Sequence, residues 1–362
     1  MSCPRLLVAA AAAAALLTAA ACTSEDNPSS PTSGPSGTTP SSSSSSSSGS
    51  KPPKKHHPKK HKPPARNPYT GIGKVPTRPV ISVKIDDTPP GRPQINIDKA
   101  DIVYIEAVEG GLTRLAAIFG TNKPTVGYVR STRPSDPDLL LQFGKLTAVY
   151  SGGSHDSIPR IHHSGIRSWS NDAGAPYFQR VDNPGGLGYI NLVIHLGQVA
   201  AHTKTNRPQP MGWTFDPSLK GLKTKKATDI RTEVTGSYSH GTPVEFRYDS
   251  KLHKYVRYID GVRQVESDGK PIAATNVIVQ SCVVKNHPQD VDVLGNPSQF
   301  TVTKGHGNVS VFRQGKRIDG TWSRHSLHHG TVLHTKNGKR LPLHPGNTWV
   351  VLIRNGIPVT SN

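Results

Sequence analysis

Eight consecutive serines, Ser41–Ser48, lie inside a stretch from Thr23 to Arg66 built almost wholly of Ser, Pro, Thr, Gly, Lys and His. A segment of that composition cannot bury enough apolar surface to offset its chain entropy. Whatever folds must therefore fold from about residue 67 onward. The composition of the whole chain fits this division. It is 33% hydrophobic, where an ordinary domain is about 45–50% apolar, so a disordered front dilutes a normal core.

Ahead of the serine tract, Arg5 precedes an apolar, Ala-rich run from Leu6 to Leu17 and then small residues to Ala21. This is the layout of a secretory signal peptide over residues 1–21. The run is too short for a stable membrane span, and no later run approaches the roughly 20 residues a span needs. Ala19-Ala20-Ala21 is followed directly by Cys22. A Cys in that place is the signal of a bacterial lipoprotein, in which it is acylated after cleavage. The expectation is lipidation at Cys22 and anchoring to the outer face of the bacterial cell membrane. Residues 22–66 then form a disordered tether.

The formal net charge is +20. The tether ends in a run, Lys51 to Arg66, with seven Lys/Arg and no acid. Such a run is a self-repelling solvated spacer, or a contact for polyanions. Setting aside that run, Arg5, Glu25 and Asp26 leaves +14 on residues 67–362. The folded part is itself basic, which suits an anionic wall polymer as neighbour; an exported protein is not expected to meet nucleic acid. Cys3 leaves with the signal and Cys22 is the anchor, so Cys282 has no partner for an internal disulfide. It lies in the apolar run Thr275–Val284 and is expected to be a buried structural thiol.

The body reads as an α+β fold in two parts. Residues 67–217 form an N-terminal mixed α/β domain. Strands are predicted at Pro79–Ile85, Ala100–Ile105, Leu115–Phe119, Leu146–Tyr150 and Ile190–Ile194, with helical stretches at Asp136–Gly144 and His195–Thr203. Residues 223–362 form a mostly-β C-terminal domain. Its strands are expected at Thr242–Tyr248, Lys254–Ile259, Asn276–Val284, Gln299–Thr303, Val309–Arg313, Thr331–His334 and Thr348–Ile353. Asp260-Gly261, Asp268-Gly269 and Asn337-Gly338 are hairpin dipeptides.

Charged residues crowd the first part: Lys84-Ile-Asp86-Asp87, Arg92-Pro-Gln94, Asp101, Glu106, Glu109-Gly-Gly-Leu-Thr-Arg114 and the run from Arg130-Ser131 through Arg133 to Asp136. Arg130 and Arg133 can fork onto a phosphate or carboxylate. Asp86, Glu106 and Glu109 have the chemistry for acid–base work. The same residues also suit an internal lattice of ion pairs, and the residues alone leave both readings open.

Several motifs in this order resemble the YerB-like lipoprotein family. They are I-D-D at Asp86, R-P-Q at Arg92–Gln94, A-D-I-V-Y at Ala100–Tyr104, E-G-G-x-T-R at Glu109–Arg114 and V-R-S-x-R at Val129–Arg133. In the second part they are N-V-I-V-Q at Asn276–Gln280, G-x-G at Gly305–Gly307, G-T-W at Gly320–Trp322 and L-x-P-G-x-T-W-V at Leu343–Val350. The likeness covers nearly all of 78–355. This chain has Asp87 and Tyr128 where the family usually has Asn and Pro. The resemblance implies a two-domain, lipid-anchored bacterial protein and carries over no catalytic residues.

Enzyme motifs are sparse. There is no G-x-S-x-G elbow. Ser151-Gly-Gly-Ser-His-Asp156 places Ser, His and Asp as sequence neighbours, whereas a triad converges from separate segments. Ser239-His-Gly241 lacks the Cys of an L,D-transpeptidase signature. His325, His328 and His329 have helix-like ligand spacing without an H-E-x-x-H motif, and no metal or cofactor is expected. The reading is a binding or accessory module for an anionic wall-related ligand or an envelope protein. Its ligand residues are Arg92, Gln94, Arg114, Arg130, Ser131 and Arg133. The alternative is a cell-wall hydrolase or transferase using Asp86, Glu106 or Glu109. Geometry separates the two: acids facing an open cleft roughly 5–10 Å apart fit catalysis, and acids locked onto cations fit structure or binding.

Overall fold

The computed structural model describes residues 66–183, 188–204, 207–236, 240–292 and 294–362. The signal segment 1–21, Cys22, the tether to residue 65 and Ser239 lie outside the described residues. No helix among those described is long and apolar enough to cross a membrane.

Ten strands form the main path of one large mixed sheet. In chain order they are β1 (Ile81–Asp86), β2 (Ile102–Ala107), β3 (Thr113–Phe119), β4 (Thr147–Tyr150), β5 (Arg167–Ser170), β6 (Asn276–Val291), β7 (Gly305–Arg313), β8 (Lys316–Arg324), β9 (Val332–Thr335) and β10 (Thr348–Arg354). Their order across the sheet is β9-β8-β7-β6-β10-β2-β3-β1-β4-β5. The last of these, β10, inserts between strands of the two sequence halves. It pairs in parallel with β2 on one side (Ile102↔Thr348 to Ile105↔Val351) and with β6 on the other. All described residues fall in one compact unit.

The strand residues are apolar on both faces because both faces are covered, as expected for parallel strands. Alternate residues go to opposite sides. Val103, Ile105, Leu115, Trp349, Val351 and Val277 enter one core, shared with Ile230, Val244, Phe246 and Tyr255 of a second, smaller sheet. Ile102, Tyr104, Ala116, Val350, Leu352 and Ile278 enter the other, shared with Leu139, Phe143 and Ile161 around the helices α1 (Asp136–Leu140) and α2 (Ser157–His163). The second sheet is built on Asp229–Val234, Thr242–Asp249 and Lys254–Ile259. A third, of three short strands, holds Thr125–Gly127 against Leu192–His195.

The α+β architecture expected from the sequence is what the structure has: strands dominate and the helices are short. The predicted helical stretch 136–144 is α1 followed by a 3-10 turn at Leu141–Phe143, and 195–203 contains the helix Leu196–His202. Cys282 is buried on β6, and burial pushes its thiol up to about 12. That is an inert packing residue, as expected.

Candidate functional site

Strands β1, β2, β4, β5, β6 and β10 all point the same way, and β3 runs against them. Their carboxyl ends gather Asp86 and Asp87 (end of β1), Glu106 (end of β2) and the loop after Tyr150 (end of β4). The amino end of β3 brings Thr113 and Arg114 to the same place. Register makes this exact in sequence terms: Asp86 and Glu106 both stand opposite Arg114. Ligands of open α/β sheets characteristically bind at this edge.

Two loops complete the arrangement. The chain from Tyr128 to Arg130 runs beside the end of β1: Asp86 N donates to Tyr128 O at 2.9 Å and Arg130 N to Lys84 O at 2.9 Å. This delivers Arg130 to Asp86, with Nε 2.7 Å from Oδ2. The loop after β4 packs on the same segment, where Thr132 N donates to Gly152 O at 3.1 Å. There is no room for a side chain at Gly91, whose missing Cβ would lie 2.6 Å from the Asp86 carboxylate. The turn behind Glu109 uses two residues of positive φ, Gly110 (63°) and Gly111 (75°), a conformation glycine adopts without steric cost.

The carboxylates are each committed to a cation. Arg133 Nε donates to Glu109 Oε2 at 2.7 Å, and Ser298 Oγ donates to Oε1 of the same carboxylate at 2.5 Å. Lys84 Nζ bridges Glu106 Oε1 at 2.9 Å and Asp136 Oδ1 at 2.6 Å, with all three side chains at most 4% exposed. Asp136 also accepts from Thr132 Oγ1 (2.8 Å) and from the amide of Arg133 (2.6 Å), so it fixes the loop that carries Arg133. Burial, the dominant influence, raises the Glu106 carboxyl above its ordinary range despite Lys84. Asp87 is held by Arg257, which donates from Nη1 and Nη2 at 2.7 and 2.8 Å, and by Thr113 Oγ1 at 2.6 Å.

Two cations of the constellation have no such partner: Arg92, whose guanidinium donates to the Asp87 carbonyl, and the more deeply buried Arg114. Arg114 is 5% exposed. Its Nη1 reaches only the Thr113 carbonyl at 3.3 Å, and its Nε has no hydrogen-bond partner. Among the described residues no carboxylate lies within ion-pair distance of it, though it feels Asp86 and Glu109 on one hand and Arg130 and Arg133 on the other. Burial pushes its guanidinium down to about 10. Arg130 and Arg133 are 20% and 11% exposed, so the cluster opens to solvent at these two side chains. The exposed ring of Tyr189 lies 5.5 Å from the Arg130 guanidinium, a cation–π contact.

Of the residues singled out in the sequence, Asp86, Glu109, Arg114, Arg130 and Arg133 come together. Ser131 sits beside them, its Oγ 3.4 Å from where a Cβ on Gly152 would be. Arg92 and Gln94 brace the backbone instead: Arg92 donates to the Asp87 carbonyl, and Gln94 Nε2 to the Asp86 carbonyl at 3.2 Å. Glu106 belongs to the buried layer with Lys84 and Asp136. Sequence reasoning missed Arg257 and Ser298, both from the second half; a lone Arg in the apolar strand Lys254–Ile259 was the only signal. The histidines 325, 328 and 329 are not gathered on acids: His329 Nδ1 is 2.6 Å from Ser326 Oγ. No group of three His, Cys, Asp or Glu that could hold a metal occurs among the described residues.

Comparison with known proteins gives three findings. Two family models match, the N-terminal domain of a protein family of unknown function (DUF3048) over residues 69–207 and its C-terminal domain over 233–350. The chain is 28% identical over 317 residues to "Putative lipoprotein YerB" of Bacillus subtilis (strain 168), covering 79% of this chain and 85% of that protein. The crystal structure of YerB protein from Bacillus subtilis matches with a TM-score of 0.66 at 24% identity, over 82% of this chain and all of that one. That likeness concerns the fold.

Proposed function

From the premise that this chain belongs to the DUF3048 family, we propose that it is a lipid-anchored, extracytoplasmic envelope protein that binds an anionic group at the Arg114–Arg130–Arg133 cluster. The anchor is Cys22, and residues 22–66 hold the body away from the membrane. The relative's printed name, a lipoprotein, supports the anchoring.

The observation that carries the binding reading is Arg114. A buried guanidinium lacking an ionic partner is costly, and an incoming carboxylate or phosphate relieves that cost. Arg130 and Arg133 are turned by their own carboxylates and so are pre-organised, which limits the ordering cost of binding. The acids weigh against the hydrolase reading, because Asp86, Glu106 and Glu109 each have a cation within 2.9 Å and none stands free for proton transfer.

The test uses sacculi stripped of phosphate-linked polymers. Pelleted protein and released soluble fragments are both measured, for the wild type and for Arg130→Ala/Arg133→Ala. The expected result is co-sedimentation without release, weakened at least tenfold in the variant, about 1.4 kcal/mol or more. Release of fragments by the wild type would instead move the function to the carboxylates. Equal sedimentation of both proteins would remove the arginine cluster from the account.

A further inference from the structure

A second charged feature lies far from the arginine cluster, across β10, β6 and β7 at the β8–β9 edge of the sheet. Two short partners share one side of β8. Lys225–Lys226 pairs with its start (Arg317↔Lys225), and β9 pairs with its end (Gly320↔Thr335 to Ser323↔Val332). Neither partner reaches Ile318 or Asp319. The gap is a groove of about 460 Å³ walled by Gly221–Lys225 on one side and Thr335–Asn337 on the other, with Arg317–Asp319 between.

The walls are strongly basic. Residues 218–226 and 334–340 carry seven Lys/Arg and no acid. Lys223, Lys225, Arg317 and Lys336 line the groove against one acid, Asp319. That acid is already engaged: Arg317 Nε donates to it at 2.7 Å, Ser310 Oγ at 2.9 Å, and Lys225 Nζ stands 3.7 Å away. Arg317 is fixed further by the Val359 carbonyl at 2.8 Å. The floor is therefore rigid and compensated, while Lys223, Lys225 and Lys336 are exposed and have charge to offer.

We propose that this groove is a binding site for a single chain of a polyol-phosphate polymer, a linear polyanion of phosphodiester-linked polyhydroxy units. A groove accepts a strand, whereas a lipid surface requires an exposed convex or flat basic face. The lysines meet the phosphates as point charges, and Thr224 and the Asn337 amide nitrogen, whose Oδ1 already accepts from Thr335 Oγ1, supply hydrogen-bonding partners for hydroxyl groups. No aromatic side chain lines the groove, so it lacks the stacking platforms on which single-stranded nucleic acid is held.

The experiment measures binding of a short poly(glycerol phosphate) to the full chain as a function of salt. Four proteins are compared: wild type, Lys223→Gln/Lys225→Gln/Lys336→Gln, a tether control with Lys54, Lys55, Lys59 and Lys60 changed to Gln, and Arg130→Ala/Arg133→Ala. Single-stranded DNA of equal charge and vesicles containing anionic phospholipid are the comparison probes. The groove variant is expected to bind the polymer at least tenfold more weakly and to flatten the log–log salt slope by about 2, one phosphate contact for each lysine removed. The tether control retains binding within a factor of about three of the wild type. Polymer binding that survives in the groove variant, or that is lost in the tether control, would overturn the proposal. So would equally tight binding of the DNA, or binding to vesicles alone. Loss in the Arg130/Arg133 variant would merge this site with the arginine cluster and overturn its independence, whereas failure of the cluster with stripped sacculi leaves the groove untouched.

Discussion

At the scale of single residues, the buried pair between Asp87 and Arg257 ties the two halves of the sequence together at the edge of the candidate site. Both side chains are 0% exposed, and the Arg257 guanidinium also lies 5.3 Å from the Trp349 ring. The charge of Asp87 is answered by Arg257 alone among the cations that bond it. Breaking one member of a buried pair leaves the other uncompensated, at a cost of about 3–5 kcal/mol, while replacing both can be nearly neutral. Asp87→Asn is therefore expected to lower stability by about 3 kcal/mol or more. Asp87→Asn combined with Arg257→Met should lose far less than the sum of the single changes. Urea unfolding of the four proteins gives the coupling directly; simple additivity would show that the pair carries no net interaction.

At the scale of elements, Glu266 shows a carboxylate used as a cap. It lies 3% exposed and accepts the amide of Asp98 at 2.7 Å, at the head of the 3-10 turn Ile97–Lys99. Burial raises its carboxyl from 4.5 to about 7, against the pull of the backbone amides. The folded state thus holds the proton to higher pH than the unfolded chain does. The stability contributed by Glu266 is fully present below about pH 4.5, falls as pH rises towards 7, and is level above it. The stability of the wild type relative to Glu266→Gln should drop by about 2–3 kcal/mol between pH 5 and pH 8. Urea midpoints at the two pH values measure this, and a difference independent of pH would place the ionised form in the fold throughout. The elements themselves were legible where apolar periodicity was strong. Ile102–Ala107 and Thr348–Arg354 are buried on both faces, and their Val/Ile runs announce it. Lys316–Arg324 was missed because it carries three cations and an acid in nine residues, and its apolar face shows only Ile318 and Trp322. Its hairpin turn hid as well, since Gln314-Gly315 adopts positive φ at both positions (52° and 68°) with a residue that rarely signals it. The site was legible as composition and not as pairing. Sequence placed Asp86, Glu109, Arg114, Arg130 and Arg133 near one another in order, yet nothing local could say that Arg130 and Arg133 would take the carboxylates and Arg114 would not.

At the scale of the whole molecule, sheet topology decides how the two halves behave. Pairing β10 with β2 crosses from residue 102 to residue 348, a contact that closes only when most of the chain is in place. Both cores cross the same boundary. Val103 and Ile105 share one with Trp349 and Phe246, and Tyr104 and Phe143 share the other with Trp322 and Leu333. Without the second half, β2 would present an unpaired apolar edge, a template for aggregation. Without the first, β10 would lose one of its two parallel neighbours and half its cover. Tryptophans report on each half, with Trp169 and Trp213 in one and Trp322 and Trp349 in the other. The chain from residue 66 onward is expected to unfold in a single transition, with fluorescence and far-ultraviolet circular dichroism coincident. Fragments 67–217 and 223–362 made separately should show no cooperative transition, and refolding them together should restore it. A cooperative transition in either fragment alone would mean that the half is stable without its neighbour, and that the shared sheet is a docking of two finished domains.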